Sequence, residues 1–152
     1  MQMFLKTVPP TTFLCSTHEL RVPEITTAAA VAVPGVIQAM RDSEMQATGV
    51  MQFLYDGCDG DPEKVFTLDI AIPVDEKKDV AAPYVVREVP EFRCAAIEYR
   101  GGMSRIGEGY MELAKQMREA GLEPNDLARE VYTYFMDAES PENITELQMG
   151  IR

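Results

Sequence analysis

Two stretches of this sequence occur twice, in the same order, and that constrains the fold more than any other feature. Val22-Pro23-Glu24-Ile25-Thr26-Thr27-Ala28-Ala29 matches Val89-Pro90-Glu91-Phe92-Arg93-Cys94-Ala95-Ala96 at five of eight positions, with Ile25 and Phe92 both apolar. Pro62-Glu63-Lys64-Val65-Phe66-Thr67-Leu68-Asp69-Ile70-Ala71-Ile72 runs alongside Pro141-Glu142-Asn143-Ile144-Thr145-Glu146-Leu147-Gln148-Met149-Gly150-Ile151. The first match has an offset of 67 (89 − 22) and the second an offset of 79 (141 − 62), so the second copy carries a longer insert. Ordered self-similarity of this kind points to a duplicated structural unit.

Each unit reads as strand, helix, strand, strand. An extended segment surrounds Val-Pro-Glu, where Pro23 and Pro90 cannot donate to a ladder and mark a bend. A helix is expected over about 34–47 in the first unit, with Pro34 suited to its first turn and Gly49 beyond its end. In the second unit Ile106, Tyr110, Leu113, Ala114 and Met117 keep helical spacing, so a helix is expected over about 104–120. Gly121 follows as its C-terminal stop. Strands are expected at about 50–55 and 65–74, then at 127–136 and 144–151. Turn residues fill both connections, Asp56 to Pro62 and Asp137 to Asn143. Leu68, Ile70 and Ile72 alternate with polar or small residues, as do Leu147, Met149 and Ile151, the pattern of half-buried strands. The charged and then small segment 75–83 joins the units. These readings make one α+β domain over 1–152, with units at about 13–76 and 84–152.

The 152 residues suffice to bury a core unaided, and no apolar run reaches the ~18 residues of a spanning helix. The first ten residues lack the apolar stretch of a secretory signal. Fourteen basic against 25 acidic residues give a net charge of −11. Such a chain repels phosphate, so direct nucleic-acid binding is not expected, while a cation or a basic protein suits its field. Cys15, Cys58 and Cys94 are far apart and His18, on a solvated strand, is the one histidine. No metal site, cofactor or Cys/His nucleophile pair follows from them, and the sparse thiols suit a reducing cytoplasm.

Function is sought on one strand face. In Glu130-Val131-Tyr132-Thr133-Tyr134-Phe135-Met136, alternation puts Glu130, Tyr132, Tyr134 and Met136 on one side. At the offset of 79, Met51, Phe53 and Tyr55 fall opposite Glu130, Tyr132 and Tyr134. Rings and methionine around one carboxylate suit a flat apolar cation, through stacking, cation–π attraction and counter-charge. The same face also fits a tyrosine-lined hairpin with Glu130 at its wet end. Tyr99 closes the strand before Arg100-Gly101-Gly102, whose glycines permit a tight turn rather than a phosphate cradle. Tyr110 reads as core or as pocket, and Glu146 as pocket or solvent. Gly107 and Gly109 leave room for close helix packing.

The run from Glu130-Val131-Tyr132 through Thr145-Glu146-Leu147, with Val89-Pro90-Glu91 and Arg100-Gly101-Gly102 ahead of it, resembles the GyrI-like small-molecule-binding domains, also called AraC-type effector-binding domains. The resemblance covers roughly residues 13–152 and is to the standalone form, because few residues precede the first strand. It implies two strand-helix-strand-strand modules with antiparallel sheets, related by a pseudo-twofold around a ligand cleft. It implies that Glu130 meets lipophilic cations there, with Tyr132 beside it. The tryptophan common late in the family's second helix is absent; Met117 or Arg118 stands near that place. The expected function is binding of cationic or amphipathic molecules for sensing or sequestration, without cofactor, membrane or direct nucleic acid. Two alternatives stay open: hydrolysis of reactive small molecules by Glu130 and Tyr132, and modulation of gyrase or of a transcription regulator as a protein partner.

Overall fold

The computed structural model describes all residues 1–152. In chain order it contains β1 (Phe4–Val8), β2 (Thr11–Leu20), α1 (Ile25–Asp42), β3 (Gln52–Asp56), β4 (Phe66–Pro73), β5 (Val85–Val89), β6 (Phe92–Arg100), α2 (Ile106–Glu119), β7 (Pro124–Tyr134) and β8 (Ile144–Ile151). Short 3-10 turns at Val22–Glu24 and Met103–Arg105 lead into the two helices. The fold is α+β, and the same element series runs twice.

The helices follow their local chemistry. α2 buries Gly109, Leu113 and Met117 at four-residue intervals and ends where Gly121 takes φ +70°. α1 begins well ahead of the expected residue 34. Its alanines favour the helix upstream, and the preceding turn is closed by the Arg21 amide donating to Glu24 Oε1 at 2.8 Å. Pro34 lies inside α1, on its exposed side. The segment Val22–Asp42 has the length and mean hydropathy (1.3) of a membrane span, contrary to the expectation of no such run. Here it packs on β2 and β4 and sinks Ala32 and Val36 into the core.

The Val-Pro-Glu repeat does not mark equivalent places. Val22-Pro23-Glu24 is the turn before α1, whereas Val89-Pro90-Glu91 joins β5 to β6. Proline's fixed φ is at home both in the first turn of a helix and at a break between strands, so the tripeptide carries no conformational identity of its own. The position matching Val89-Pro90 in the element series is Val8-Pro9, at the joint of β1 and β2.

All eight strands form one antiparallel sheet in the order β1-β6-β8-β7-β3-β4-β2-β5. Val8 lies opposite Phe92 and Thr11 opposite Val89, so the pairing crosses the joints at residues 9–10 and 90–91 without a slip. Pro9, Pro10 and Pro90 interrupt only the hydrogen bonds. Because two residues link β1 at one edge to β2 near the other, the sheet must bend back on itself.

Both helices lie on one face, α1 over β2 and β4 and α2 over β6 and β8. Leu14, Val36, Leu68 and Ile70 make one core under α1; Ile97, Leu113, Met117 and Leu147 make another under α2. The other face is enclosed by the bend, where Phe13, Cys15 and Ala71 are buried without a helix above them. The central seam, β3 against β7, runs between the two helices on the helix-bearing face.

Candidate functional site

The seam carries the candidate site. In β7, alternation sends Arg129 to the enclosed face and Glu130 to the helix side, where its cross-strand neighbours are Phe53 on β3 and Leu147 on β8. The two adjacent charges are thereby parted by the sheet. Arg129 is buried with its guanidinium 4.1 Å from the centre of the Phe92 ring. Glu130 is 7% exposed, and none of the eight ion pairs of the molecule includes it.

Three tyrosine hydroxyls donate to it instead. Tyr55 Oη lies 3.1 Å and Tyr132 Oη 2.5 Å from Oε1, and Tyr110 Oη lies 2.6 Å from Oε2. They come from β3, β7 and α2, so the cluster ties the seam to one helix. Burial raises the Glu130 carboxyl above its ordinary range, and the three hydroxyl bonds partly offset that shift. Burial and the neighbouring carboxylate push all three phenols well above their ordinary range, so they remain donors at neutral pH. Phe53 packs edge-on against Tyr132, with ring centres 5.0 Å apart. Met51 lies just ahead of β3, its carbonyl accepting from the Tyr132 amide at 3.2 Å.

Glu130, Tyr132, Tyr55, Phe53, Met51 and Tyr110 are thus together, and three other expected residues are not. Tyr134 is turned away by a bulge: Tyr132 faces Thr145 but Tyr134 faces Ile144, so two steps on β7 match one on β8 and the alternation breaks. Tyr99 lies under α2 and donates to the Gly102 carbonyl at 2.6 Å, closing the glycine turn. Glu146 is one residue from Leu147, hence on the opposite face, where Lys6 Nζ meets it at 2.9 Å. Of the two readings of Glu146, pocket and solvent, this partly exposed ion pair lies on the solvent side and away from the seam.

The bulge brings in a residue that alternation had placed on the other side. Phe135 stands edge-on to Tyr132 with ring centres 6.0 Å apart. Cys58, in the β3–β4 connection, packs against the α1-side core, and burial first and then Glu130's charge raise its thiol. These neighbours leave Glu130 little exposed. Surface depressions of about 350 Å³ along α2 (Glu108, Met111, Lys115) and about 260 Å³ at the end of α1 (Gln38, Asp42, Tyr84) do not include it. Chemically, the arrangement is a buried carboxyl group with three hydroxyl donors, aromatic neighbours and no basic partner of its own.

The sequence model of the GyrI-like small molecule binding domain matches residues 1–152. No protein of curated function matches the chain in sequence. Among solved structures, the chain is similar to EcmrR in its DNA complex, with a TM-score of 0.84 and 15% identity over 99% of this chain and 57% of that one. It therefore spans little more than half of EcmrR. The separate EcmrR C-terminal domain gives 0.82 and 15%, over 99% and 97% of the two chains. SAV2435 bound to tetraphenylphosphonium gives 0.69 and 16%, over 100% and 94%. A hydrolase from Listeria innocua gives 0.62 and 14%, over 99% and 92%. At these identities the structural likeness establishes the fold.

Proposed function

The chain belongs to the GyrI-like small-molecule-binding domain family, and from that premise we propose that it binds cationic, lipophilic small molecules at the Glu130 cluster, for sensing or sequestration. One observation carries this reading: a buried carboxylate, held by three hydroxyls, has no basic partner in the molecule. An uncompensated charge out of water costs several kcal/mol, at the order of ~3–5 when a partner is missing, so a cation at this place is favoured. The aromatic faces of Tyr132, Tyr55 and Phe53 add cation–π attraction. SAV2435, of the same fold, holds the lipophilic cation tetraphenylphosphonium. The overall charge of −11 draws cations in and disfavours nucleic acid. Three free cysteines suit action in a reducing cytoplasm.

A hydrolytic reading of the same cluster is favoured by the likeness to the Listeria hydrolase. There Glu130 would act as base and a tyrosine hydroxyl would orient the ligand. It differs from binding in one respect, the appearance of product.

Calorimetric titration of tetraphenylphosphonium and of neutral triphenylphosphine oxide into the wild type and Glu130→Gln tests the proposal. The substitution keeps shape and removes charge. A charged hydrogen-bonding group is worth about 1.5–3 kcal/mol, so the cation should bind roughly tenfold to hundredfold more weakly. The neutral compound should change little. Equal losses for both compounds would show that Glu130 shapes the site without reading charge.

A further inference from the structure

We propose that Phe135 is the outer wall of the Glu130 site and that it selects cations bearing aryl groups over alkyl cations of similar size. The inference rests on the reading of Glu130 as the ligand's counter-charge.

Three observations converge on Phe135. The β7 bulge between Tyr132 and Tyr134 returns the following residue to the side of Tyr132, against the plain alternation of the strand. The rings of Phe53, Tyr132 and Phe135 then form a chain, with successive centres 5.0 and 6.0 Å apart and interplanar angles of 85° and 70°. Along that chain the exposure runs from 7% at Phe53 to 50% at Phe135. The chain of rings therefore leads from solvent to the carboxylate. Its inner rings lie beside Glu130, which also holds Tyr55 and Tyr110; the outer one, Phe135, is half exposed.

A ring edge-on to its neighbour presents a face to a third ring, and aryl groups gain from such contacts beyond the area they bury. A phenyl substituent on a cation can occupy the Phe135 face while the charged centre lies toward Glu130. An alkyl arm covers the same area without the ring-to-ring attraction. Phe135 thus discriminates among cations that Glu130 alone would treat alike.

The test is calorimetric titration of the full chain with tetraphenylphosphonium and with tetrabutylammonium. Phe135→Ala should weaken tetraphenylphosphonium about tenfold and tetrabutylammonium less than about twofold. Phe135→Tyr, which keeps the ring, should bind both as the wild type does. Tyr134→Ala, the neighbour turned away by the bulge, should change neither; thermal unfolding confirms that each variant is folded. Equal weakening of both cations by Phe135→Ala, or no weakening, overturns the role given to Phe135 while leaving that of Glu130 intact. A wild type that binds neither cation overturns the Glu130 reading and this one together.

Discussion

At the scale of single residues, the site depends on the separation of Arg129 from Glu130. Neighbours in sequence, they meet opposite faces of one strand, and the carboxylate is left to hydroxyl donors. Burial raises Glu130's pKa in the folded chain. Between the ordinary carboxylate value of about 4.3 and that raised value, the folded state binds more protons than the unfolded one. Stability therefore falls as pH rises through this window. Glu130→Gln should unfold like the wild type below the window and be the more stable of the two above it. Urea denaturation of both proteins across pH checks this, and a pH-independent difference would contradict it. Binding of a cation runs the other way and strengthens as the carboxylate ionises.

At the scale of elements, the approach of α2 to β8 decides where Tyr110 reaches. Gly109 makes that approach possible: a Cβ there would lie 2.7 Å from Leu147 Cδ1 and 3.2 Å from Tyr99 Cδ1. Gly107, two residues earlier, has nothing within 4 Å of such a Cβ. Gly109→Ala should lose about 1–3 kcal/mol through overpacking. It should also weaken cation binding, since Tyr110 moves with the helix. Gly107→Ala should gain up to about 1 kcal/mol from better helix propensity alone. Denaturant titrations of the pair read the contrast directly; matching effects would mean that the helix–sheet contact is looser than the distances imply.

At the scale of the molecule, the two element series are interlocked. β1 pairs with β6 of the second series, β5 pairs with β2 of the first, and β3 meets β7 at the seam. We propose that the parts of these series at about 13–76 and 84–152 are modules related by a pseudo-twofold at that seam within one domain. Superposing an experimental structure of one half on the other, β2 and α1 onto β6 and α2, tests the relation. The interlocking has its own consequence. The whole chain should unfold in one transition with equal calorimetric and van't Hoff enthalpies, and a fragment 84–152 should remain unfolded. Two resolved transitions, or a folded fragment, would show independent units.

What the sequence determined by itself is what local covalent geometry dictates. Alternation along a strand is local, so Leu68-Ile70-Ile72, Leu147-Met149-Ile151 and the pairing of Glu130 with Tyr132 on one face were legible. So was α2, whose periodic residues and terminal Gly121 act within a few turns. The rest depended on partners distant in the chain. A bulge exists only relative to the opposing strand, so β8 decided that Tyr134 leaves the site and Phe135 joins it. A proline's φ suits a turn or a strand break, so the surrounding fold decided that the two Val-Pro-Glu segments differ. Tyr110 reaches Glu130 because helix and sheet can close to contact at Gly109, and Arg129 stays apart from Glu130 because the bent sheet lies between them. These are distances between segments, and chain packing sets them.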